Sequence, residues 1–160
     1  MGKILIVDDS ILMRRSIRTL IESETDHTIV AEAGNGLEAC ELFKQHQPDL
    51  VTMDINMPIM SGPEAVAEIR GESPTAKIVM ISSVSERGMV LDALKAGACD
   101  FILKPITADK VLQVIVREIG PGTPPPTTDK KAVAASDALA QAANKDTSSA
   151  SENIDPNKFL

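Results

Sequence analysis

Four short apolar runs in this chain each end in a polar signal, and no other feature limits its fold so tightly. Asp8-Asp9 follow KILIV, Asp54 follows LVTM, Ser82-Ser83 follow KIVMI, and Lys104 follows DFIL. The runs are brief and rich in Ile and Val, as strands covered on both faces should be. A fifth run, TIVAEA, has the same character but carries no such ending. Longer amphipathic stretches separate the runs. Met13, Ile17, Leu20 and Ile21 share one helical face; so do Ala39, Leu42 and Phe43, and Val111, Ile115 and Ile119. Repeated β-α units with short connections imply a parallel sheet with helices on both faces. In such a sheet the downstream strand ends lie side by side on one rim, so three acids, two serines and a lysine are expected to crowd one place.

The local signals agree. Asp8, Asp9 and Ser10 stand where the first helix needs an N-cap. Pro63 suits the first turn of the third helix, where a missing N–H costs nothing. Gly97 reads as the stop of the fourth. At Gly120 the composition changes to PGTPPP, then TTDKK, an Ala-rich stretch and TSSASEN. The expected organisation is a domain over 1–119 and a flexible Pro/Ala/Ser-rich tail over 120–160, too poor in apolar groups to offset its ordering entropy.

Hydrophobic residues make up 43% of the 160, but aromatics only 2%, so the core must be aliphatic. A net charge of -7 with no basic patch argues against nucleic acid and against a cationic membrane-surface helix. No signal peptide, myristoylation pattern or spanning segment is visible, which makes the cytoplasm the expected location. Cys40 and Cys99 lack metal-ligand spacing and are expected to be small buried hydrophobes in a reducing compartment. His27 and His46 are expected at the surface, away from the rim.

The rim suits a divalent cation and a phosphoryl group. Asp8, Asp9 and Asp54 are hard oxygen donors of the kind Mg2+ takes alongside a phosphate. Without a cation, three carboxylates would repel one another and raise their own pKa values. With Mg2+ and the Lys104 ammonium offsetting charge, one carboxylate could act as nucleophile towards a phosphoryl group, and the Ser82 hydroxyl could donate a hydrogen bond to the product. Each residue alone has a plainer reading: a cap for Asp8-Asp9, a turn acid for Asp54, loop hydroxyls, a solvated lysine, a core phenylalanine. All four signals in order at successive strand ends favour the joint reading.

The motifs ILIVDDS, MDINMPIMSG, VMISSVS and AGACDFILKP resemble those of the response-regulator receiver domain of two-component signalling, close to the chemotaxis type. The resemblance covers about residues 1–119. It implies a flavodoxin-like, doubly wound, five-stranded sheet in the order 2-1-3-4-5. It also implies that Asp54 is the phosphoacceptor, that Asp9 ligates Mg2+ directly and Asp8 chiefly through water, and that Asn56 offers its backbone carbonyl. Ser82 matches the switch hydroxyl, Phe101 the switch aromatic, and Lys104 the phosphate-pairing lysine. Lys104-Pro105 matches a bond commonly cis in the family. Asn56 and Val84 occupy positions that tune phosphate lifetime in the family, and Phe101 lacks a phenolic hydroxyl. The implied partners are a histidine kinase and a downstream protein bound through the fourth helix, fifth strand and fifth helix, with Val114 a candidate exposed contact.

A separate catalytic domain is not expected. A haloacid-dehalogenase-like phosphatase would place its aspartate after the first strand with a second acid two residues on; Asp54 and Asn56 fail both conditions. No GxxxxGK[ST] or G-x-S-x-G is present. Two alternatives remain open: the receiver half of a chemotaxis methylesterase lacking its catalytic domain, and a receiver-shaped module that is never phosphorylated.

Overall fold

The computed structural model describes residues 1–122. The tail expected over 120–160 therefore lies, from residue 123 onwards, outside the described residues. Five strands and five α-helices alternate: β1 (Lys3–Val7), α1 (Ile11–Glu24), β2 (Thr28–Ala33), α2 (Gly36–His46), β3 (Leu50–Asp54), α3 (Gly62–Glu72), β4 (Ile78–Ser82), α4 (Arg87–Ala96), β5 (Asp100–Leu103) and α5 (Ala108–Ile119). A single 3-10 turn, Val84–Glu86, precedes α4. All strand pairs are parallel, in the order β2-β1-β3-β4-β5. The expected topology is thus the observed one, with the strand order reversing between β1 and β3.

Strand alternation divides the aliphatic core into two layers. Leu5, Val7, Val51, Met53, Ile78 and Met80 face α2, α3 and α4, where Phe43, Val66, Ile69 and Val90 cover them. Ile4, Ile6, Leu50, Val79, Ile81 and Ile102 face the other way, beneath Ile17 and Ile21 of α1 and Val111, Val114 and Ile115 of α5. Full burial on both faces holds for β3 and β4 and nearly for β1; the edge strands β2 and β5 are only partly covered.

Capping follows the sequence. Ser10 accepts a hydrogen bond from the Met13 N–H, and Thr107 accepts from Lys110 at the start of α5. Pro63 sits in the first turn of α3, and Gly97 ends α4 at a φ of 122°, a conformation that favours glycine.

Three expectations fail. Val114 is buried, because α5 turns it, with Val111 and Ile115, onto the sheet; Val116 is the exposed valine of that helix. His27 is buried: its Nδ1 accepts from the Gly2 N–H at 2.8 Å and its Nε2 lies 3.1 Å from the Gly120 carbonyl oxygen. One imidazole satisfies two backbone groups there, which repetitive apolar patterning cannot forecast. Cys99 is exposed, since it sits just before the edge strand β5, whereas Cys40 is buried as expected.

Candidate functional site

The downstream ends of β1, β3, β4 and β5 are adjacent, so Asp8, Asp54, Ser82 and Lys104 reach one rim despite their separation in sequence. Carboxylate oxygens of Asp8, Asp9 and Asp54 lie within 4.8 Å of one another. Asp8 and Asp54 are buried, and Asp9 is exposed. Asp8 and Asp54 follow the alternation of Ile4-Ile6 and Leu50-Thr52, which directs them to the α1/α5 side of the sheet. Ser82 follows Ile78 and Met80, and is directed to the α4 side.

The acids are held from several directions. Asp8 Oδ1 accepts from the Ser10 N–H at 2.8 Å, while its Oδ2 is buried with no partner. The Arg14 guanidinium donates to the Asp8 carbonyl oxygen at 2.5 Å and to Glu32 at 3.3 Å, fixing the β1–α1 junction. Asp54 Oδ1 accepts from the Ile55 N–H at 2.9 Å and lies 3.4 Å from Lys104 Nζ. Gly62 passes directly beneath: a Cβ there would stand 2.2 Å from the Asp54 carbonyl oxygen. Only glycine allows α3 to start so close to the end of β3.

Burial pushes the Asp54 carboxyl up to about 6, with repulsion from Asp8 adding to the rise; Lys104 and the Ile55 N–H pull the other way. Asp8 is also raised, first by burial. An orphaned buried carboxylate oxygen beside two further acids is an arrangement that a hard cation would complete. The donor set, oxygen only and anionic, fits Mg2+ in charge and in kind.

Ser82 Oγ is buried without a hydrogen-bond partner, although the Ser82 carbonyl oxygen accepts from the Lys104 N–H at 2.7 Å. Phe101 is 42% exposed. With Ser82, Val90, Leu91, Leu94 and Leu103 it lines a largely apolar hollow of about 310 Å³. The Asn56 side chain is exposed and donates to Glu86 Oε2. The Lys104–Pro105 bond is cis.

Two further residues were not singled out in the sequence. Glu86 binds both Asn56 and Ser83; the spacing Ser83-x-x-Glu86, a capping-box signature, could have revealed it. Ile59, 76% exposed, holds a φ of 72° between the Pro58 carbonyl oxygen and the Met60 N–H, which donates to it at 2.7 Å. No sequence signal marks a β-branched residue for such a turn.

A parallel sheet whose switch point carries clustered aspartates and an opposed lysine defines a receiver. The chain belongs to the response regulator receiver domain family, whose model matches residues 4–116. It is 49% identical over 115 residues to the chemotaxis protein CheY of Listeria monocytogenes, a match covering 72% of this chain and 96% of that one. A protein-glutamate methylesterase/protein-glutamine glutaminase of Methanococcoides burtonii is 43% identical over 116 residues, covering 71% of this chain and 33% of that one. Among solved structures, the CheX-CheY-BeF3-Mg2+ complex from Borrelia burgdorferi matches with a TM-score of 0.68 and 36% identity, covering 72% of this chain and 87% of that one.

Proposed function

We propose that this protein is a cytoplasmic, chemotaxis-type response regulator in which residues 1–119 form the receiver and Asp54 is the phosphoacceptor. The observation that carries the reading is the pairing of a buried Asp54 carboxylate with Lys104 at 3.4 Å, beside an Asp8 oxygen that has no hydrogen-bond partner among the described residues. A histidine kinase would present a phosphohistidine. Asp54 attacks phosphorus, the phosphorus–nitrogen bond breaks as the oxygen–phosphorus bond forms, and the electron pair leaves on the imidazole, which takes a proton from solvent.

With a pKa of about 6, Asp54 is largely ionised at neutral pH and competent as a nucleophile. Asp8, Asp9 and Asp54, with the Asn56 carbonyl oxygen, would hold Mg2+. When bound, Mg2+ supplies positive charge for the phosphoryl oxygens. Lys104 supplies the remaining positive charge and orients the group. The chain assists its own phosphorylation and carries no separate catalytic activity in this reading.

Output follows from a two-state shift biased by contacts that only the phosphorylated form makes. The unpartnered Ser82 hydroxyl gains the phosphate as acceptor, and the Phe101 ring moves from its exposed position into the neighbouring hollow. The surface this alters is the α4–β5–α5 face, which would bind a downstream protein. The higher identity to the chemotaxis regulator, 49% against 43% for the methylesterase, supports the regulator reading over a methylesterase receiver half. The intact acids and lysine favour phosphorylation over a silent module.

The test is direct. Incubation with Mg2+ and a small phosphodonor should add one phosphoryl group, located on Asp54 by mass spectrometry. Undiminished incorporation in Asp54→Ala would place the acceptor elsewhere.

A further inference from the structure

Glu86 sits at the end of the 3-10 turn between β4 and α4. Its Oε1 accepts from the Ser83 N–H at 2.7 Å and from Ser83 Oγ at 3.0 Å. A carboxylate that only capped the turn would be complete with those bonds. Its Oε2 also accepts from Asn56 Nδ2, thirty residues earlier in the chain. Asn56 lies two residues past Asp54, and Ser83 is the residue after Ser82. One carboxylate therefore ties the loop that follows the acceptor to the loop that carries the hydroxyl. Asn56 is exposed and Glu86 only half-buried, so general packing does not impose this bond.

The same region holds two unsatisfied features. Ser82 Oγ is buried with no partner, a costly state for a hydroxyl. The hollow of about 310 Å³ beside it is lined by Phe101 but not filled by it, Phe101 being 42% exposed. Both would be relieved if the β4–α4 loop shifted towards Asp54. Glu86 holds that loop by Ser83, at the residue next to the one that would have to move.

We propose that Glu86 is a positioning residue that latches the β4–α4 loop in its unphosphorylated setting, and that negative charge arriving on Asp54 releases it. The inference rests on Asp54 being the acceptor. An aspartyl phosphate adds charge and strong acceptor oxygens two residues from Asn56. Those oxygens compete for the Asn56 amide and repel the Glu86 carboxylate. Release frees Ser83, brings Ser82 Oγ to the phosphate and lets the Phe101 ring enter the hollow. The latch thus sets how much of the switched state exists before any phosphate arrives.

The full chain labelled with fluorophenylalanine tests this by fluorine NMR, with Phe101→Leu assigning the Phe101 signal. Unphosphorylated Glu86→Ala, and separately Asn56→Ala, should move the Phe101 signal towards its phosphorylated position, raising the inward population roughly threefold or more. Asn56→Ala leaves the turn cap intact, so it separates the latch from simple capping. Glu86→Gln, which keeps a hydrogen-bonding side chain without the charge, should show a smaller shift on full phosphorylation than the parent chain. Unchanged Phe101 signals in both unphosphorylated alanine variants, with the parent chain phosphorylated on Asp54, would overturn the latch while leaving the acceptor reading intact. Failure of the parent chain to take phosphate on Asp54 would overturn both.

Discussion

Lys104 Nζ stands 3.4 Å from Asp54 Oδ1, although fifty residues separate the two in the chain. The ammonium offsets part of the cost of burying that carboxylate beside Asp8. Lys104→Ala should therefore move the Asp54 titration midpoint above its value of about 6, as followed by carboxyl-carbon NMR. The same variant should slow phosphoryl uptake from a small donor by roughly tenfold to a hundredfold.

The raised acid also makes a statement about stability. Between pH 3.8 and about 6 the folded chain binds more protons at Asp54 than the unfolded chain does. Its contribution is therefore neutral below that window and increasingly destabilising as pH rises through it. In a metal chelator, Asp54→Asn should stabilise the domain at pH 7.5 by about 1–3 kcal/mol and have little effect near pH 4, measured by urea unfolding.

Magnesium should reverse much of that penalty. Added Mg2+ is expected to raise the unfolding free energy, by about 2.7 kcal/mol at a concentration a hundred times its Kd. Asp9→Asn should weaken the gain at least tenfold in apparent affinity with little loss of metal-free stability, because the Asp9 side chain is exposed. Thermal unfolding across a Mg2+ series reads both.

Ser82→Ala separates the two states proposed for the protein. The Ser82 hydroxyl is buried and unpartnered, so its removal should leave unphosphorylated stability unchanged or raised by about 1 kcal/mol. The phosphorylated form loses a donor, so its Phe101 ring should remain exposed. Denaturant curves and the Phe101 NMR signal measure the two effects.

Ile59 carries backbone strain at an exposed position. Ile59→Gly relieves a left-handed φ that a β-branched residue resists, and should stabilise the chain by about 1 kcal/mol by chemical unfolding.

The rim was legible before the structure because strand ends carry its chemistry. Asp8, Asp9, Asp54, Ser82 and Lys104 each close an apolar run, and parallel pairing leaves such ends no other place to go. Strand order was not readable from periodicity; it came from the resemblance of the motifs. Val114 was misplaced because α5 holds Val111, Val114, Ile115 and Val116 in close succession, and composition does not say which of them faces the sheet. His27 was misread because a polar residue between apolar runs looks solvated until the backbone groups it satisfies are known. Glu86 is legible as a cap from the spacing Ser83-x-x-Glu86, but its bond to Asn56 is not, because that partner is distant in sequence and the bond exists only once the sheet has assembled.

The His27 imidazole engages Gly2 on one side and Gly120 on the other, at the pole of the sheet remote from the carboxylates. The start of β1 and the end of α5 are thereby stapled to one another through one side chain. A label joined at Gly2 should enter from that side and leave the rim that holds Asp54 unobstructed.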